Sequence, residues 1–301
     1  MKNSQRRKII GKDELIEKES VLKEVSRGEI IGQHRNVINV RFNSGSGISL
    51  TSSRVKIAPY HIQIETFPAE LNLQGKSIII SEGKIILPDD SKIYLQQGKI
   101  SKSKLTDKNE FPDERTAQQR LAANLKFIQN KLSQEQNIDS IHSVENTVYS
   151  SGNKIFNSID RYLRSLMSLL KQTDCWQKRN NILKKFIGAG KGLTPGGDDF
   201  LVGFLSFLHF YKEQLTDKVD LGLNEKTESA TTFVSFMALS AAVKGHFNRE
   251  ILNFYKFLTE TEDELSLRLE DLLKIGSSSG RDIMTGILFA ARFLTEPRLL
   301  E

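Results

Sequence analysis

Near residue 105 the spacing of apolar residues changes, and that change limits the fold more than any other feature of the chain. From Gly28 to Ile100 short β-branched runs alternate with turn formers. The runs are 36–42, 48–51, 55–57, 61–65, 77–80, 84–87 and 92–95, and Ser81-Glu-Gly83, Pro88-Asp-Asp90 and Gln97-Gly98 punctuate them. Period-two alternation broken by such turns predicts an antiparallel sheet or a small barrel. A short helix is expected within 13–26, ahead of that sheet. After Phe111-Pro112-Asp113 the period becomes helical, with Pro112 and the acids behind it as a start signal. Leu121, Leu125 and Ile128 share one face. Further helices are predicted over 155–170, 176–187, 199–214, 231–243, 248–258, 262–275 and 282–294, with a polar loop at 217–228. The expected class is α+β, an N-terminal antiparallel β-rich sheet or small barrel followed by a mostly α-helical C-terminal domain.

The chain has 301 residues, 38% apolar and 27% charged, which excludes a wholly disordered protein and allows one large domain or two ordinary ones. The longest greasy stretch, Phe200 to Tyr211, is too short for the roughly 20 residues of a membrane span. Neither end has the form of a signal peptide, and the single cysteine, Cys175, has no partner for an internal disulfide. A soluble cytoplasmic protein is expected. The net charge is +6, yet Lys2, Arg6, Arg7, Lys8 and Lys12 supply five of those six units. Residues 1–12 therefore read as a basic flexible tail, 13–105 as a β-rich domain, and 106–301 as a helical domain. A nearly neutral body behind a charged tail argues against a nucleic-acid partner.

Glycine is the more informative residue. Five of the ten residues from Gly188 to Gly197 are glycine, in the stretch Gly188-Ala-Gly-Lys-Gly-Leu-Thr-Pro-Gly-Gly-Asp-Asp-Phe-Leu-Val-Gly203. Such density costs backbone entropy, and close approach of N–H groups to an anion at a helix N-terminus is one reason to keep it. The stretch is neither a Walker A loop, because Gly192 follows Lys191, nor a dinucleotide fingerprint, because Leu193 stands where glycine is needed. Asp198 and Asp199 begin the next helix. Both can serve as cap and first-turn carboxylates, or one can cap while the other faces a ligand as base, metal ligand or N–H acceptor.

A second loop, Ile275-Gly-Ser-Ser-Ser-Gly-Arg-Asp282, repeats the pattern. Gly197, Asp199, Gly203 and Leu205 align with Gly280, Asp282, Gly286 and Leu288 at an offset of 83 residues. Aspartate and glycine four apart share a helix face, so two equivalent helix starts are expected to meet around one site. Gly276-Ser-Ser-Ser-Gly280 is not a nucleophile elbow, since a helix rather than a strand precedes it. Ser277, Ser278 and Ser279 read as hydroxyl donors or caps, and Arg281 either as a solvent-exposed helix-start residue or as a clamp for phosphate or carboxylate. His34, His61, His142 and His209 lack metal-ligand spacing, and no metal or cofactor is expected. Lys244-Gly-His246 reads as a structural helix terminus or as a cation and imidazole placed at a helix end, Cys175 as packed, and Phe200, Phe204, Phe207 and Phe210 as core.

The segment Gly192–Gly203 resembles the hallmark of the bacterial AllH-like family, whose named member is a subunit of oxamate carbamoyltransferase. The similarity extends through Ser240-Ala-Ala-Val-Lys-Gly245 to Gly276–Asp282, and more faintly to the β-rich segment. Gly196 stands where serine is common in the family. The resemblance implies carbamoyl transfer between oxalurate and phosphate, giving oxamate and carbamoyl phosphate, in purine-derived nitrogen catabolism. It also implies other transferase subunits as partners, with phosphate or carbamoyl phosphate and a small 2-oxo acid amide as ligands. On that reading Asp198 and Asp199 handle protons or orient the carbamoyl NH2. Gly192, Thr194, Gly196, Gly197, Ser278, Ser279, Gly280, Arg281 and Asp282 bind substrate or phosphate, with backbone N–H groups of Gly196 and Gly197 stabilising the tetrahedral oxyanion. The competing expectations are a non-catalytic anion-sensing or assembly subunit, and a related acyl or carboxyl transfer on another substrate.

Overall fold

The computed structural model describes residues 6–18, 26–69, 71–96, 98–105, 114–134, 175–211 and 213–295, and divides into two compact units, Met1–Lys104 and Leu105–Glu301. The helix expected over 155–170 lies outside the described residues.

The first unit is a ten-stranded sheet. Its strands are β1 (Arg6–Arg7), β2 (Ile9–Asp13), β3 (Ser26–His34), β4 (Val37–Phe42), β5 (Gly47–Ser52), β6 (His61–Ile64), β7 (Ser77–Ser81), β8 (Lys84–Ile86), β9 (Lys92–Tyr94) and β10 (Lys99–Ser101). The spatial order is β1-β9-β8-β7-β3-β4-β5-β6-β2-β10. Only Lys8 separates β1 from β2, so one extended segment pairs with β9 at its start and β6 at its end, and the sheet curls back on itself. Most pairs are antiparallel, as the alternation predicts, but β1–β9, β2–β10 and β5–β6 are parallel. Alternation alone does not distinguish the two, because the side-chain period is two in both. In β7, Ile78 and Ile80 are fully buried while Ile79 between them is 45% exposed, so the sheet has one wet face. The hairpin at Glu82-Gly83 is a two-residue turn with both φ positive, joining β7 and β8. The run 55–57 forms no strand and passes through turns into β6. The short helix expected within 13–26 is α1 (Glu14–Lys18), which follows β2.

The basic tail is a correction. Strands β1 and β2 cover all of residues 6–13 but Lys8, and two of their cations, Arg7 and Lys12, are held by partners. Arg7 is buried, donating Nε to Ser91 Oγ at 3.1 Å and Nη1 to the Thr66 carbonyl at 2.8 Å, with Nη2 3.5 Å from Asp89. Lys12 is buried as well and donates Nζ to the Leu95 carbonyl at 2.7 Å. Burial of Ile9 against Ile62, Ile64 and their neighbours supplies the apolar contribution that draws the strand in.

The second unit is helical. Its elements are α2 (Glu114–Gln134), α3 (Trp176–Leu183) running into a 3-10 turn (Lys184–Phe186), α4 (Gly196–Tyr211), a 3-10 turn (Glu213–Lys218), α5 (Glu225–Ala230), α6 (Phe233–Val243), α7 (Arg249–Phe257), α8 (Glu262–Leu273) and α9 (Ser279–Thr295). The polar stretch expected to be a loop holds α5, because Asn224 and Thr227 form a capping box that satisfies its N-terminus locally. Helix α4 lies at the centre of the core, with every residue from Gly197 to Leu208 buried. Phe186 stacks on Phe200 at 4.7 Å, and Phe289 of α9 meets Phe200 edge-on at 5.5 Å. The phenylalanines of α4 are packing residues as expected, with Phe210 stacked on Tyr255 at 4.6 Å. Among the described residues no helix is long and apolar enough to cross a membrane.

Candidate functional site at the crossing of two helix starts

The two loops singled out by their glycines meet through the helices that follow them. A Cβ on Gly203 of α4 would lie 1.9 Å from the carbonyl oxygen of Ile283 in α9, and a Cβ on Gly286 would lie 2.0 Å from that of Phe200. Phe200 precedes Gly203 by three residues, as Ile283 precedes Gly286, so the contact is reciprocal under the offset seen in the sequence. Gly197 and Gly280 repeat the relation at the helix starts. There a Cβ would come within 2.1 Å of the Phe186 carbonyl and 2.2 Å of the Leu272 carbonyl. These four positions need glycine for backbone approach, which is a packing function.

The crossing carries the two equivalent acids to one place. Asp199 is 8% exposed and Asp282 is 1% exposed. The hydroxyls of Thr194 and Ser279 join the loops by a 2.9 Å hydrogen bond. Asp199 Oδ2 is buried without a hydrogen-bond partner. Burial pushes the Asp199 carboxyl up to about 7; Asp282 and Asp198 push the same way, against the hydroxyls of Ser279 and Thr194. A carboxyl that titrates near neutrality can both give and take a proton.

Asp198 is placed differently. Its Oδ1 accepts the Gly188 N–H at 2.8 Å and its Oδ2 accepts a short hydrogen bond from the Thr231 hydroxyl. Burial raises its pKa also, opposed by those two bonds. With both oxygens engaged, Asp198 latches the start of the glycine loop to the segment after α5. Thr232 holds the other side of the loop, donating to the Leu193 carbonyl at 2.6 Å while it caps α6. Thr231 and Thr232 were not singled out by the sequence. The signal for them was a Thr-Thr pair at a helix start, which reads as an ordinary cap.

Of the two N–H groups expected in a backbone anion cradle, that of Gly197 has a partner within its own loop. Its N–H donates to the Ala189 carbonyl at 2.8 Å, and the N–H groups of Asp198 and Asp199 turn back to the Pro195 carbonyl. The second loop does the same. Gly280 N–H donates to Ile275, while Arg281 and Asp282 N–H donate to Ser278. Pro195 has no N–H. The N–H groups of Gly197, Asp198, Asp199, Gly280, Arg281 and Asp282 are thus engaged within the loops, beside three buried acids. Gly188, Gly190 and Gly192 adopt φ of +71°, +118° and +100°, so these glycines shape the loop. Gly192 and Lys191 are exposed, Gly196, Ser278 and Arg281 are half-buried, and Ser279 is buried. Among the described residues no three His, Cys, Asp or Glu side chains are grouped to hold a metal ion.

No solved structure matches this chain. Both loops, both helix starts and both glycines of the crossing fall within residues 186–291, and that segment matches the family model of oxamate carbamoyltransferase subunit AllH.

Proposed function

We propose that the chain is a working subunit of a carbamoyltransferase that interconverts oxalurate plus phosphate and oxamate plus carbamoyl phosphate. The observation that carries this reading is the convergence of Asp199, Asp282, Thr194 and Ser279 at the crossing, inside the segment that matches the transferase family.

The chemistry assigns distinct tasks. A phosphate oxygen forms a bond to the carbamoyl carbon of oxalurate, and the bond from that carbon to the oxamate nitrogen breaks. The leaving nitrogen needs a proton as it departs, and the phosphate gives one up. Asp199, titrating near 7, is suited to pass that proton from one to the other. The tetrahedral intermediate carries an oxyanion between these steps. Arg281 and the Ser278 hydroxyl are the groups suited to it, since the Gly197 N–H is engaged elsewhere. Asp198 acts through the loop it latches, as a positioning residue.

Reconstitution tests the assignment. The other transferase subunits supplied with oxalurate and phosphate are expected to form carbamoyl phosphate only when this chain is present. Equal product without it would overturn the reading. A chain that binds its partners but is dispensable for turnover would instead be an assembly subunit.

A further inference from the structure

Asp199 and Asp282 occupy equivalent positions, each four residues before the glycine at which its helix crosses the other. That spacing puts both carboxylates on the crossing faces, one turn back from the contact. Both are buried, and Asp199 Oδ2 has no hydrogen-bond partner. A buried carboxylate oxygen left unpaired has room in its hydrogen bonding for a partner, and a bound ligand is one such partner.

The charges around Asp199 favour retention of a proton. On its own helix Asp198 faces it, and from α9 Asp282 does; both are acids. Helix α6 carries no ionisable side chain. In the 3-10 turn before the loop, Lys184 is paired with Asp220 at 2.9 Å and Lys185 is exposed. The turn Glu213–Lys218 lies beyond the opposite end of α4. Arg281 neighbours Asp282 on the first turn of α9.

We propose that Asp199 and Asp282 hold one proton between them and together bind a primary amide. The protonated carboxyl donates to the amide oxygen and the ionised carboxyl accepts from the amide N–H. Two ionised acids would lack the donor, and two protonated acids would lack the charged acceptor. The pair rejects a carboxylate of the same shape, because a second negative charge meets the ionised member in a buried site. The identity of the amide, the CO–NH2 group of oxamate, rests on the transferase reading above. The pair itself rests on the crossing.

Oxamate and oxalate make the test, because they differ by one amide in place of one carboxylate. With the full chain in titration calorimetry, oxamate is expected to bind at pH 6 and to weaken about tenfold or more by pH 8.5, as the shared proton is lost. Oxalate is expected to bind at least about tenfold more weakly than oxamate at pH 6. Asp199→Asn keeps a donor beside an ionised Asp282, so it should retain oxamate binding and lose the pH dependence. Asp199→Leu should lose binding while circular dichroism shows it folded. Oxalate binding equal to oxamate, oxamate binding that strengthens with pH, no oxamate binding at any pH, or loss of binding in a folded Asp199→Asn would each overturn the proposal. Turnover of oxalurate by the reconstituted assembly separates the two ideas. An assembly that turns over, with a chain that shows no preference for oxamate, overturns only the acid pair. A chain with the predicted preference in an inert assembly overturns only the transferase reading.

Discussion

Gly203 lies directly against the Ile283 carbonyl, so that a Cβ at residue 203 would come within 1.9 Å of that oxygen. Backbone cannot yield here as a side-chain tip can. Gly203→Ala, or Gly286→Ala on the other side of the same contact, should therefore separate α4 from α9 and destabilise the helical unit. The expected cost is about 3 kcal/mol for either, with the double variant costing less than the sum, because one shift relieves both clashes. Denaturant midpoints of the two single variants and the double variant measure it.

Asp198 has both oxygens engaged, by the Gly188 N–H and the Thr231 hydroxyl. Asp198→Asn presents an NH2 group to one of these two donors. The variant should lose about 1–3 kcal/mol of stability, and Thr231→Val should lose a similar amount. A double-mutant cycle between residues 198 and 231 should show clear coupling, whereas a solvated first-turn carboxylate would show none.

The pH dependence of stability should isolate Asp199. Its native pKa is raised from 3.8 to about 7, so between those values the native state binds more protons than the unfolded chain. Its contribution to stability is therefore greatest below about pH 4, falls as pH rises towards 7, and is level above that. Denaturation of the wild type and Asp199→Asn at pH 5, 6, 7 and 8 should show the wild type losing ground up to about 7 and then no further. The opposite slope would show that Asp199 is ionised and stabilised in the fold.

Arg7 is buried with partners on two segments, Thr66 and the turn that holds Asp89 and Ser91. Arg7→Ala leaves the Thr66 carbonyl and the Ser91 hydroxyl without that donor in the β unit. Removal of residues 1–8 opens the pairing of β1 with β9. Both changes should lower the melting temperature of the β unit, Arg7→Ala by about 2 kcal/mol in stability. A flexible tail would tolerate either change without effect.

The sequence carried the helix crossing in legible form. Gly203 and Gly286 recur at the same distance from Asp199 and Asp282, and periodicity alone places glycine and acid on one face. The sheet was legible in its alternating isoleucines, but its parallel pairs were not, because parallel and antiparallel strands share one period. In residues 6–12 the run of charge masks the alternation of Ile9 and Gly11, and no local rule foretells that Arg7 will find the Thr66 carbonyl 59 residues away. The engagement of the Gly197 N–H is hidden from the sequence for a related reason. Glycine density signals backbone proximity, and it does not reveal that Gly197 gives its N–H to Ala189.

The most direct test of the account compares turnover of Asp199→Ala with that of the wild type in the reconstituted assembly, by carbamoyl phosphate formed from oxalurate and phosphate. Loss of about 100-fold or more in kcat, with the variant folded and assembled, is the predicted result. A folded, assembled Asp199→Ala that turns over at the wild-type rate would contradict it.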